Sequence, residues 1–225
     1  MNYQKQKYSS KQWMFKRGEE FMQIDPIHDM QQVYRKLLQN MARPGSVASL
    51  QSITSRMDDA KGCCRTTWLI ALTLLDAEVT FHVLGDPQGD LTRKIAAHTF
   101  SQFTTIEDAD FIFVLEGTSE TEIIHGVSKC KIGDLRDPQL SATWIIEKQL
   151  QQNPDQWLLT GPGIKGEISL PVFLTEKFLR AREARTIEHP LGVDFIFTTK
   201  NAELICIPRT TSIKRKGETA WAMSQ

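Results

Sequence analysis

Two short stretches hold the residue types best suited to chemistry. Asp194 stands between Val193 and Phe195 in an apolar run. A carboxylate among apolar neighbours must find a partner or raise its pKa. Arg209 follows the next apolar run, and its planar fork can grip a carboxylate at both oxygens. The spacing predicts an Asp194–Arg209 pair, read first as a structural ion pair and second as part of a ligand site. Arg209-Thr210-Thr211-Ser212 gathers a guanidinium and three hydroxyls past a strand end. That set suits an anion or an acidic partner surface, or else a polar strand exit. Gly161-Pro162-Gly163 could bring backbone close to a phosphate. Pro162 removes one N–H donor, however, and no helix clearly starts there, so a turn ending a strand is the better reading.

Other chemistries lack their sets. Pyridoxal phosphate needs a Schiff-base lysine, an acid facing the pyridine nitrogen and a phosphate cup. Lys61, Lys129 and Lys165 are the loop lysines nearest to elements. None sits in a motif that supplies all three parts, so no cofactor is expected. His28, His82, His98, His125 and His189 show no metal-ligand spacing, and no metal is expected. Cys63, Cys64, Cys130 and Cys206 form no C-x-x-C. Reduced thiols in a cytoplasmic protein account for them. A G-x-S-x-G nucleophile motif is absent.

The elements that must position these residues follow from periodicity. Asp25 and Pro26 suit a helix start. Met30, Val33, Tyr34, Leu37, Leu38 and Met41 recur at helical spacing until Arg43-Pro44-Gly45 ends the helix. Val47–Leu50 is a short strand. Arg65–Leu75 is a helix apolar almost all round, which places it under other layers. Strands are expected over Glu78–Leu84, Phe111–Leu115, Ser141–Lys148 and Gln156–Thr160. Helices are expected over Leu91–Phe100, Thr118–Val127 and Pro171–Arg185, the last with Lys177, Arg180, Arg182 and Arg185 facing water. Val193–Thr198 and Glu203–Pro208 around Thr199–Asn201 give the strongest hairpin signal. Helices and strands interleaved in this way imply a layered α/β sandwich.

With 225 residues and 40% apolar content, the chain suits one large domain with a sizeable core. Its 27 basic and 27 acidic residues cancel, so no global field draws it to nucleic acid or to an anionic membrane. No apolar run approaches the ~20 residues of a bilayer span. Basic residues crowd both ends: Lys5, Lys7, Lys11, Lys16 and Arg17, then Lys214, Arg215 and Lys216. The expected organisation is a basic, flexible tail over residues 1–20, one α/β domain over 21–213 and a flexible tail over 214–225. The alternative for the tails is docking on an acidic partner.

Four segments, taken in order, resemble the PhnH family of the bacterial carbon–phosphorus lyase system. They are His28–Leu38 with Met41-Ala42-Arg43-Pro44-Gly45, Thr73-Leu74-Leu75-Asp76, Leu158–Ile164, and His189–Asp194 through Ile207-Pro208-Arg209-Thr210-Thr211. The resemblance runs from about Phe21 to Ile213. It implies a three-layer α/β/α sandwich similar to the large domain of pyridoxal-phosphate-dependent transferases, without that cofactor. It also implies a homodimer that assembles with the G, I and J subunits of the core complex. The reaction credited to that complex joins a phosphonate such as methylphosphonate to the ribose C1 of ATP, giving alpha-D-ribose 1-methylphosphonate 5-triphosphate. A member of this family would hold or shape the complex rather than carry an active site of its own. Arg43, Gly161, Gly163, Asp194, Arg209, Thr210 and Thr211 are then the candidates for a ligand or interface site. A rival reading is a free-standing transferase, or a regulatory module, that binds a phosphorylated ligand in the cleft of the sheet.

Overall fold

The structure is a computed structural model that describes residues 24–59, 62–151, 154, 156–186 and 188–217. The tail expected over residues 1–20, Lys61 and residues 218–225 lie outside the described residues. In chain order the elements are α1 His28–Met41, β1 Val47–Ser49, α2 Gln51–Thr54, α3 Arg65–Leu74, β2 Thr80–Leu84, α4 Asp90–Thr99, β3 Gln102–Phe103, β4 Phe111–Val114 and α5 Glu120–Lys129. They continue with β5 Thr143–Glu147, β6 Trp157–Thr160, β7 Ile168–Ser169, α6 Glu176–Arg185, β8 Asp194–Thr198, β9 Glu203–Ile207 and β10 Ser212–Arg215.

Strand side chains alternate between two cores, one on each face of a central sheet. Ile112 and Val114, Trp144 and Ile146, Phe195 and Phe197 enter one core. Phe113, Ile145 and Ile196 enter the other. The sheet runs β1-β9-β8-β5-β4-β2-β3. All neighbours from β3 to β8 pair in parallel, and β9 is antiparallel to both β8 and β1. Helices α1, α3 and α4 cover one face, and α3 is buried from Thr66 to Ala71. Helices α5 and α6 cover the other, with a small antiparallel sheet β10-β6-β7 beside them. The molecule is thus a mixed α/β protein whose seven-stranded, mostly parallel sheet is flanked by helices. No helix among the described residues is long and apolar enough to cross a membrane.

Three expectations differ from the structure. The strand Gln156–Thr160 belongs to the small sheet, where it pairs with Ser212–Arg215. Lys214 and Arg215, expected in a tail, are therefore part of a strand. Helix α6 begins only at Glu176, because Thr175 caps it through Phe178 N at 3.2 Å. The carbonyls before it are already used: Gln151 N donates to Pro171 O at 2.9 Å and Trp157 Nε1 to Leu174 O at 2.8 Å.

The third difference is Arg182. Expected to face water, it is 3% exposed. Its Nη2 donates to Pro208 O and to Thr211 O, each at 2.9 Å, and its guanidinium lies 6.0 Å from the Phe195 ring centre. Arg185 is half-buried and donates to Cys130 O. Burial pushes Arg182 down to about 10, against the opposing pull of Asp194 and Glu183, so it stays charged at neutral pH. An arginine held by two carbonyls can sit where a solvated charge could not, and here one nitrogen, Nη2, makes both bonds while the buried Nε has no hydrogen-bond partner among the described residues. Replacing it with methionine keeps most of the packing but strands two carbonyls. Arg182→Met should cost about 2–3 kcal/mol in urea denaturation, and a variant as stable as the wild type would show that these bonds contribute nothing.

Candidate functional site

Three of the family-like stretches, the turn after α1, the 161–163 loop and the β8–β9 hairpin with the residues after it, meet at one end of the sheet. Asp194 opens β8 and Arg209 follows β9, so the hairpin register brings them side by side. Arg209 Nη2 lies 2.5 Å from Asp194 Oδ2 and Nε lies 3.2 Å from Oδ1. The Arg209 backbone N–H donates to the same Oδ1 at 2.7 Å, and Nη1 donates to Pro138 O at 2.5 Å. The two side chains are 15% and 18% exposed. The fork is thus consumed by the protein itself, which leaves it little to offer an anion.

Around this pair the glycines serve close approach. A Cβ at Gly161 would lie 2.9 Å from Thr210 O and 3.4 Å from Thr211 Cα. Gly163, at φ +82°, abuts Ala42 O, and its Cβ would lie 3.0 Å from Pro44 Cδ. The 161–163 loop is therefore wedged between the turn after α1 and the turn after β9. Thr211 is buried, and its Oγ1 has no hydrogen-bond partner among the described residues. Only Arg43, Thr210 and Gly163 of the seven candidates are exposed. This junction reads as a structural seam with a small polar rim. Asp194→Ala and Arg209→Ala should each destabilise the fold by on the order of 3 kcal/mol, because each leaves a mostly buried charge unpaired. Wild-type melting temperatures in both variants would contradict that account.

A separate crevice of about 520 Å³ lies at the opposite end. After β2 the chain crosses through α4 to β3 on one side, while β4 pairs on the other side of β2. Such a reversal opens a gap beyond the carboxyl ends of the strands, where ligands of open α/β sheets bind. Glu147 ends β5 there and is 9% exposed. Its Oε1 accepts from Cys64 N at 2.7 Å and its Oε2 from Glu116 N at 3.1 Å. Cys64 caps α3, accepting from Thr67 N at 3.4 Å. A helix N-terminus favours an anion, and here the chain supplies its own carboxylate. Both cations in the crevice are also paired: Lys200 with Glu116, and Arg65 with Asp59 at 2.7 Å. The Lys200 bond and charge hold the Glu116 carboxyl below its usual range.

Sequence reasoning missed Glu147, Cys64, Glu116 and Lys200 as neighbours. The available signal was a carboxylate at the end of an apolar strand, which in a parallel sheet marks the carboxyl edge. Of the lysines weighed for a cofactor, Lys129 is exposed on α5 and lies 3.5 Å from Glu107, and Lys165 is exposed in a loop. No group of histidine, cysteine or acidic residues among the described residues could hold a metal ion.

Burial first, then the Glu147 charge, pushes both the Cys63 and Cys64 thiols up. Neutralising that charge lowers their pKa values and raises the thiolate fraction at a given pH. Glu147→Gln should therefore alkylate faster with iodoacetamide, by about two- to tenfold near pH 9, with the midpoint of the pH–rate profile moved down. An unmoved midpoint would show that the carboxylate does not set the thiols.

A family model described as "Bacterial phosphonate metabolism protein (PhnH)" matches residues 22–214. The PhnH subunit of alpha-D-ribose 1-methylphosphonate 5-triphosphate synthase from Rhizobium meliloti (strain 1021) is 28% identical over 198 residues, covering 85% of this chain and 94% of that protein. The "Putative C-P lyase subunit protein HtxG" of Stutzerimonas stutzeri is 27% identical over 188 residues, covering 83% and 87%. The match takes in both turns of the seam and both walls of the crevice, and the chain belongs to the PhnH family of bacterial phosphonate metabolism proteins.

Proposed function

We propose that the chain is the PhnH-type component of a carbon–phosphorus lyase complex, required for making alpha-D-ribose 1-methylphosphonate 5-triphosphate from ATP and methylphosphonate, with a structural or assembly role. The observation that carries this is the family match across residues 22–214, supported by a relative named as a subunit of that synthase. The geometry favours a non-catalytic part. Arg209 spends its fork on Asp194 and Pro138 O, and the anion-favouring start of α3 is filled by Glu147. The reading extends to a homodimer, to the G, I and J subunits as partners, and to a cytoplasmic location. It includes a fold similar to the large domain of pyridoxal-phosphate transferases, for which the single antiparallel strand in a parallel sheet speaks. Exposed Arg43 and Thr210 at the seam are then interface positions.

A second reading rests on the crevice, whose size and place at the strand reversal suit a phosphorylated small molecule. One set of measurements separates the two. Under the assembly reading, the purified chain alone is dimeric, consumes no ATP with methylphosphonate, and co-purifies with the G, I and J subunits when all are expressed together. It also shows no absorbance band with pyridoxal phosphate beyond nonspecific lysine adducts. Turnover by the isolated chain, at rates typical of an enzyme, would sink the assembly reading in favour of the second.

A further inference from the structure

At the far edge of the sheet, away from both the seam and β1, two phenylalanines stand in water. Phe100 is 70% exposed and Phe103 is 52% exposed. Phe100 closes α4 in the left-handed conformation, at φ 62° and ψ 8°, with its N–H on Ala96 O at 3.0 Å. Glycine or asparagine is the usual choice at such a helix end. A large aromatic residue there carries backbone strain and gains no burial in return. Such a position is kept when the side chain itself is used.

Phe103 sits in β3, the two-residue edge strand. Gln102 N and Thr104 N turn inward to Val79 O and Phe81 O. By the alternation of a parallel ladder, Phe103 points its own N–H and C=O to the open side. Its ring is held ready: it stacks on His82 at 5.2 Å and 21° and meets the Phe81 ring edge-on at 5.9 Å. His82 is fixed in turn through Nδ1 on Thr104 O at 2.7 Å. Exposed, pre-oriented aromatic rings are the common anchors of protein interfaces.

The rim is acidic. Asp76 and Glu78 lead into β2, which pairs with β3, while Glu107 and Asp108 follow β3. All four are exposed. Lys129 lies 3.5 Å from Glu107, but Asp76, Glu78 and Asp108 form no salt bridge among the described residues. Uncompensated carboxylates around an apolar centre select a cationic partner and repel an acidic one.

From these three features we infer that the β3 edge is a docking surface for a basic, extended segment of another protein of the complex, which takes Phe100 and Phe103 as anchors and the open Phe103 backbone as a hydrogen-bonding edge. This rests on the reading of the chain as one component of a complex. The test co-expresses the full-length chain with the other carbon–phosphorus lyase subunits and compares three forms: wild type, Phe100→Asn with Phe103→Ser, and Glu78→Lys with Asp108→Lys. Asparagine relieves the left-handed strain, so a purely structural role predicts an unchanged or higher melting temperature and full capture. The expected result is at least tenfold weaker capture by both double variants, with the melting temperature kept within a few degrees. The amides of residues 100–105 should also gain hydrogen-exchange protection in the assembled complex. Wild-type capture by both variants, with no protection of that edge, overturns the docking surface and leaves the assembly reading intact. Failure of the wild type to assemble overturns both. A wild-type dimer that the aromatic variant converts to a monomer assigns the edge to a second copy and overturns a foreign partner.

Discussion

The β8–β9 hairpin runs inside the central sheet with both faces covered. Phe195, Phe197, Ile205 and Ile207 enter one core, and Ile196, Leu204 and Cys206 enter the other. A one-residue slip of its register would exchange these two sets and point each at the wrong layer. The same register holds Asp194 beside Arg209 at one end and fixes the turn that carries Lys200 at the other. Both the seam and the crevice wall therefore depend on one buried pairing. Among the described residues β9 is also the one strand that runs against the rest of this sheet, antiparallel to both β8 and β1.

Charges drawn inside the molecule are answered by its own backbone. Asp194 receives the Arg209 N–H as well as the guanidinium. Arg182 fills two carbonyls of the turn after β9. Glu147 receives the N–H groups of Cys64 and Glu116, and so ties α3 to the ends of β4 and β5. Each arrangement offsets the desolvation of a charge by hydrogen bonds that a buried ion requires. Asp194, Arg209 and Glu147, answered in this way, hold the fold and have little left for a substrate. What the interior does not use remains on the rim: Arg43 and Thr210 at the seam, and the Phe100–Phe103 edge with its acidic border.

Much of this was legible from residue order. The alternation in Glu78–Leu84 and Ser141–Lys148, the strand-favouring apolar run Phe111–Leu115, the hairpin signal of Val193–Pro208 and the all-round apolarity of Arg65–Leu75 pointed to strands and a buried helix, because those patterns report local geometry and burial. The Asp194–Arg209 pair was legible because a hairpin makes residues 15 apart in sequence into neighbours. Arg182 was not, since a charged residue on a helix is ordinarily solvated. Its partners lie 26 and 29 residues away on a turn that only the folded chain brings near.

By itself the sequence determined the longer elements, a layered α/β arrangement, the hairpin and the family, while the short α2, β3, β7 and β10 were not read from it. Tertiary structure decided which ends of the strands would carry what. The crevice combines Cys64, Glu116, Glu147 and Lys200 from four separate stretches, and no local pattern reports that convergence. The same holds for exposure: Tyr34 and Leu38 share the helical stripe with Val33 and Leu37, yet are 49% and 52% exposed while those two are buried. Periodicity tells which residues share a face. How much of that face is covered depends on the neighbouring layer, which is set by contacts far apart in the chain.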